Sequence, residues 1–307
     1  MSIKRLWSRI GRWPRIGIIA LACFGLIAVG RLYFGTAQPH VNLPPEQLWH
    51  AGGFPITNTM LASWFTIVVL GVLCYFATRR MELVPRGLQN VMEALVEGLA
   101  NFVDSVAGKE NGRKFFPVLA TIFIFVLANA WLSMLPGFMS IGLVHEAEGH
   151  TAIVPFFRGA NTDVNVPLAL ALVSFVFVEY WGFKANGFRS YASKFVNVSR
   201  SVGGVKKLLR GRFKQGVGGM LGGIIDIFVG FVEFISELIR VVSFTFRLFG
   251  NMTAGEILIF SLIFLLPWMA VIPFYGLELF LGFIQALIFC GLSLVFVVMA
   301  VSSHSEH

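Results

Sequence analysis

The core of the apolar run from Val217 to Leu266 carries five charges: Glu233, Glu237, Arg240, Arg247 and Glu256. Charged side chains inside apolar helices are costly, so each is by default a functional candidate. On a helix turning about 100° per residue, with Arg247 as zero, Glu233, Ser236, Arg240, Ser243 and Asn251 all fall within about 40° of it. They form one polar stripe on a helix otherwise built of Phe, Ile, Val and Leu. Glu237 lies about 80° from Arg247, and Glu256 about 180° away on the opposite face. In the next apolar run, Glu278 and Gln285 share a face within about 20°. If the two runs form a hairpin, Glu256 and Glu278 flank the connection around Pro267 to Pro273, and Glu233 lies toward the far end.

This pattern, carboxylates toward both surfaces with a cation between them, suits proton movement. Carboxylates in a wet, low-dielectric cleft pass protons. A guanidinium does not lose its proton at ordinary pH, so it interrupts a continuous proton wire. It also favours ionisation of any carboxylate brought close to it. Ser243 and Asn251 are placed to hold water beside it. Plainer readings stand beside this one. Glu237 and Glu233 sit at i,i+3 and i,i+7 from Arg240, as in ordinary pairs on a surface helix. Arg247 suits a buried ion pair, and Gln285 a hydrogen bond between packed helices.

The elements that position these residues are read from hydropathy. Of 307 residues, 56% are hydrophobic and 13% charged, against roughly a quarter charged in a soluble domain. A net charge of +8 would suit nucleic acid, but the basic residues cluster between apolar runs, as in membrane proteins. About 20 apolar residues cross a bilayer. Candidate spans are Ile16 to Phe34, Thr59 to Thr78, Phe115 to Leu135, Val166 to Phe183 and Phe274 to Val301, together with the long run from Val217. That run exceeds the bilayer thickness and must be bent, strongly tilted or split. Leu88, Val91, Met92, Leu95, Leu99, Phe102 and Val103 recur at helical spacing and predict an amphipathic helix at the membrane surface. The first span follows Lys4, Arg5, Arg9, Arg12 and Arg15, and reads equally as a cleavable signal or an uncleaved anchor. The segment His40 to Asn58 reads as a loop.

Arg79 to Lys114 and the basic stretch Lys184 to Lys214 fall on the side of the N-terminal cluster. The loop before Asn165, with Glu146, Glu148 and Asp163 and the single basic residue Arg158, falls on the other. Basic loops and the C-terminus are therefore expected in the cytoplasm. Cys23, Cys74 and Cys290 sit singly in apolar runs and imply packing, with no disulfide or metal framework. His145 to His150 approaches a zinc-protease motif but places Gly149 at the second ligand position. No phosphate-binding loop is present.

Phe246 to Glu256, reading FRLFGNMTAGE, resembles the RLFGNxxAGE signature of subunit a of F-type ATP synthases. Gly282 to Phe289 is similar to that family's C-terminal LQAxIF block. Pro55 to Asn58, Pro85 to Asn90 and Thr162 to Asn165 extend the resemblance, which spans roughly Phe54 to His307. It implies a two-part chain: an N-terminal extension, 1–53, and a subunit a core, 54–307. It also implies a proton-channel stator with two half-channels that couple proton translocation to rotation of a c-ring. The resemblance assigns the essential arginine to Arg247 and its neighbour to Asn251. The non-cytoplasmic half-channel takes Glu256, Glu278 and Gln285, and the cytoplasmic one Glu233. Implied partners are the c-ring, subunit b of the peripheral stalk, membrane lipid and protons, with no nucleic acid and no cofactor. The chain itself is expected to be non-catalytic, with ATP chemistry on other subunits.

The expected architecture is an all-α polytopic membrane protein of five or six hydrophobic passes, with a long bent or tilted C-terminal helical hairpin, in a bacterial plasma membrane. A secondary transporter or channel using the same buried charges is the alternative, distinguished by flux without a ring partner. A membrane enzyme would need a clustered nucleophile or metal site, which the sequence does not offer.

Overall fold

The computed structural model describes residues 44–135, 138, 141–147, 150–187, 191, 213–265 and 271–302. The apolar run near the N-terminus, Cys23 and most of the basic stretch Lys184 to Lys214 lie outside them.

Among the described residues five α-helices make the body: α1 (Asn58–Thr78), α2 (Leu88–Ser133), α3 (Asn165–Asn186), α4 (Phe213–Leu265) and α5 (Ile272–Ser302). Of these, α1, α2, α3 and α5 are long and apolar enough to cross a membrane. The expected polytopic helical fold is the one observed. The long charged run is a single helix, α4, of 53 residues. At 1.5 Å per residue it extends about 80 Å, against roughly 30 Å of hydrocarbon, so it is tilted or reaches beyond the bilayer.

The surface helix and the third span merge into α2, broken at Gly108, whose φ of 76° and ψ of 156° are non-helical. A side chain is strained at such a φ, so glycine sets the bend. The turn folds the chain tightly, and a Cβ on Gly112 would overlap the Asp104 carboxylate.

Two β-hairpins occupy segments expected to be loops. Strands β1 (Gln47–Ala51) and β2 (Phe54–Thr57) pair antiparallel, as do β3 (Gly142–Ala147) and β4 (His150–Pro155). Gly52 and Gly53, with φ of 59° and 90°, make the two-residue turn between β1 and β2, a linker that favours hairpins. His145 and His150 lie on paired strands, and the helix a zinc protease would need there is absent.

In a bilayer helices gain little from burying apolar surface against each other, so close packing of small residues matters more. Gly282 of α5 lies so near α2 that an added Cβ would come within 2.8 Å of the Ala130 Cβ. Around this approach Leu119 and Val126 of α2 pack with Phe289, Leu294 and Val297 of α5, and Phe244 and Leu248 of α4 close the cluster. Cys290 is buried there, its thiol 3.6 Å from the Leu119 carbonyl, and Cys74 is exposed. Ile67, Val68 and Phe76 of α1 and Val173 and Val176 of α3 are exposed, as suits faces solvated by lipid.

Hydrogen bonds join the body at its acidic-loop end. Thr57 caps α1, accepting from the Met60 N–H at 3.4 Å. Thr59 donates to Asp163 at 3.0 Å, and the other Asp163 oxygen accepts from the Asn165 backbone and side chain at the start of α3. One carboxylate thus ties the first turns of two helices. Farther in, Thr66 donates to Asn129 of α2 at 2.8 Å, with both residues buried.

Candidate functional site

The charged residues of α4 and α5 fall into three environments. At the acidic-loop end, Glu256 is buried on α4 and faces Arg158, which follows β4. The Arg158 Nε–H lies 3.0 and 3.2 Å from the two Glu256 oxygens, and Nη1–H reaches the Pro44 carbonyl at 3.4 Å. Arg158 is 4% exposed and Glu256 8%. A buried charge pair of this kind depends on both members, because removing either strands the other in a low dielectric.

A small cavity, with room for about one water, lies against Glu256, walled by Asn129, Ser133, Asn161, Thr162 and Met252. The Asn129 Nδ2 and both amide atoms of Asn161 are buried and have no hydrogen-bond partner among the described residues. Polar walls with spare donors and acceptors suit water. Glu278 of α5 is buried on the other side of the same turn of α4, with its carboxylate packed directly over Gly255. Only a glycine leaves room there, since a Cβ at Gly255 would overlap that carboxylate. Gln285, two turns along α5, is also buried, and its Nε2 has no partner among the described residues.

The middle of α4 is different. Arg247 and Ser243 are exposed, and Asn251 is half-buried. Arg247 makes no hydrogen bond or ion pair with any described residue. Its neighbours Val242 and Phe246 are 51% and 58% exposed, so this face presents a bare guanidinium among apolar side chains. The alternative of a buried ion pair at Arg247 is not the arrangement observed.

Toward the basic-loop end, the stripe divides. Glu233 is half-buried, while Glu237 is 3% exposed and pairs with Arg240 at 2.6 Å. The i,i+3 pair is therefore present, but its carboxylate is buried between helices. Arg240 lies over the Phe296 ring of α5, 3.9 Å from its centroid.

Glu256 and Glu278 thus meet one turn of α4 at one end, Glu233 belongs to the other, and Arg247 lies between, joined to neither. Arg158, Asn129 and Asn161 were not among the sequence candidates. A signal for Arg158 existed, since it is the one basic residue in an otherwise acidic loop. Its partner was not legible, because 98 residues separate the pair.

Residues 60–298 match the family model described as ATP synthase A chain. The chain is 31% identical over 237 residues to ATP synthase subunit a of Campylobacter jejuni subsp. doylei, covering 77% of this chain and 86% of the relative. It is 29% identical over 251 residues to ATP synthase subunit a of Nitratiruptor sp., covering 82% and 91%. It is 30% identical over 268 residues to that of Gloeobacter violaceus, covering 87% and 93%.

Proposed function

The chain belongs to the ATP synthase subunit a family, and from that premise we propose that it is the proton-channel stator of the membrane motor. It supplies two half-channels, separated by Arg247, to a rotating ring of c subunits. The observation that carries the reading is the bare Arg247 guanidinium on an uncovered apolar face of α4, between buried carboxylates at either end. A charge held in that setting needs an anionic partner from outside the chain. A ring carboxylate passing the face is that partner.

On this reading a proton enters from the acidic-loop side through the polar cavity at Glu256 and passes Glu278 and Gln285 to a ring carboxylate. Neutralised, the ring carboxyl turns away through lipid. On its return toward Arg247 it releases its proton into the second half-channel, which includes Glu233, and pairs as the carboxylate with the guanidinium. Ser243 and Asn251 hold water on either side of Arg247. The guanidinium keeps its own proton, so no continuous wire joins the two half-channels.

The clustering of Arg79, Arg80, Lys109, Arg113 and Lys114 with Lys184 on one side supports a cytoplasmic location for the basic loops and C-terminus. A bacterial plasma membrane is the proposed setting, with the peripheral stalk as second partner.

The test is Arg247→Ala in the assembled complex. ATP synthesis driven by an imposed proton gradient is recorded together with passive proton leak through membranes stripped of the soluble ATPase. Lost synthesis with leak kept or raised is expected. Near-normal synthesis would sink the stator reading.

A further inference from the structure

We propose that Arg158 is a positioning residue for proton entry, holding Glu256 as a fixed anion beside the polar cavity so that Glu278 alone takes up and releases the entering proton; the inference rests on the proton-stator reading above.

The two carboxylates meet one turn of α4, one borne by Glu256 itself and the other packed over Gly255. Both residues are buried, but their surroundings differ in charge. The Arg158 Nε–H lies 3.0 and 3.2 Å from the two Glu256 oxygens. The guanidinium is anchored in turn, with Nη1–H donating to the Pro44 carbonyl at 3.4 Å. Directly after Arg158 comes the tight turn Ala160–Thr162, closed by the Thr162 hydroxyl on the Gly159 carbonyl at 2.7 Å. Glu278, by contrast, makes no hydrogen bond or ion pair with any described residue.

Asn129 and Asn161 complete the setting on the cavity side. The Asn129 Oδ1 accepts from Thr66 at 2.8 Å. Its Nδ2 and both amide atoms of Asn161 are buried with no partner among the described residues. Both side chains line the cavity against Glu256, which has room for about one water. A water seated there donates to the Glu256 carboxylate while the amides hold it.

The difference in charge decides which group carries the proton. A guanidinium keeps its own proton. Protonating Glu256 would therefore strand the Arg158 charge in a low dielectric, as removing the carboxylate would. Glu278 takes up and releases a proton without stranding any charge among the described residues. The transfer balances. A proton arriving on water past Glu256 forms an O–H bond on the Glu278 carboxylate and leaves neutral water behind. The ring carboxylate then takes that proton, and Glu278 is a carboxylate again. Glu256 and Arg158 carry the same charges before and after.

The test uses the whole complex in native membranes, with initial rates of gradient-driven ATP synthesis normalised to the amount of assembled complex. Glu278→Gln is expected to lower the rate at least about tenfold. Glu256→Gln is expected to lower it severalfold, because the unpaired Arg158 cation then faces the entering proton. The deciding variant joins Arg158→Gln to Glu256→Gln, which removes both charges and keeps groups that hydrogen-bond. It is expected to regain most of the rate lost in Glu256→Gln, whereas Arg158→Gln added to Glu278→Gln regains nothing. An assembled neutral pair no faster than Glu256→Gln overturns the proposal, because Glu256 would then itself carry the proton. A near-normal rate in assembled Glu256→Gln or Glu278→Gln overturns it as well. If the neutral pair does not assemble, Arg158→Met with Glu256→Met is read in the same way, since apolar residues of similar volume commonly replace a buried ion pair. Failure of both pairs to assemble also counts against a role as fixed anion. Arg247→Ala in the same membranes separates the two claims. If it abolishes synthesis while the neutral pair regains nothing, the positioning role is wrong and the stator reading stands. If neither Arg247→Ala nor Glu278→Gln lowers synthesis, the stator reading fails and the proposal with it.

Discussion

Arg158 and Arg247 bring the same guanidinium into the same helical body and meet opposite surroundings. Arg158 is buried, spans both oxygens of Glu256 and reaches a backbone carbonyl. Arg247 sits on an exposed face without a hydrogen bond or ion pair to any described residue. The fold satisfies the first charge internally and leaves the second without a partner among the described residues. An internal pair contributes to holding the chain together, and its loss is felt as instability. A guanidinium left bare contributes little to the fold, and its loss is felt in what the protein does with a partner.

The sharpest way to break this comparison is to remove each arginine and measure stability, by the melting of the solubilised complex and its content in membranes. Arg158→Ala is expected to destabilise by about 3–5 kcal/mol, because it strands the Glu256 carboxylate in the interior. Adding Glu256→Gln is expected to recover a large part of that loss, a strong non-additivity. Arg247→Ala should leave melting and content unchanged. Equal instability in the two single variants would show that Arg247 is a structural pair after all.

Two glycines on the same helix sharpen it further. A Cβ at Gly255 would overlap the Glu278 carboxylate, while at Gly250, one turn past Arg247, it would meet nothing within 4 Å. Gly255→Ala is expected to cost about 1–3 kcal/mol of stability through overpacking. Gly250→Leu should leave the melting temperature in place and lower gradient-driven synthesis, because only a partner covers that face. Normal synthesis by Gly250→Leu would count against a partner there.

The smallest effect is expected at the Thr66–Asn129 hydrogen bond. Thr66→Val removes the donor and should cost about 1 kcal/mol, in the range measured for hydrogen bonds between membrane helices. It is read as a shift of a few degrees in melting, with synthesis largely kept.

Much of the fold was legible because a bilayer restricts it so strongly. Each spanning segment must satisfy its own backbone, and about 20 apolar residues set its length. The segments read as Thr59 to Thr78 and Val166 to Phe183 are helices Asn58–Thr78 and Asn165–Asn186. The bend between the surface helix and the following span falls at Gly108, inside the break left between those two readings. The hairpin of β1 and β2 was missed, although its Gly52-Gly53 linker carried the signal. The β3–β4 pair had no comparable turn signature.

Helical periodicity also determined which charges share a face of α4, since the angle between residues follows from their spacing alone. Burial does not follow from spacing. It depends on which neighbouring helix lies against each face, and that is decided by contacts among residues far apart in the chain. So Arg247, Arg240 and Glu237 were placed around one helix by sequence. Only the tertiary structure buried Glu237 beside Arg240, laid Arg240 on Phe296 and left Arg247 bare. The same holds for Arg158, which was visible as a solitary cation in an acidic loop. Its position on Glu256 was decided only when the loop closed over the ends of α1, α3 and α4, because a buried carboxylate there required a counter-charge and the loop supplied it.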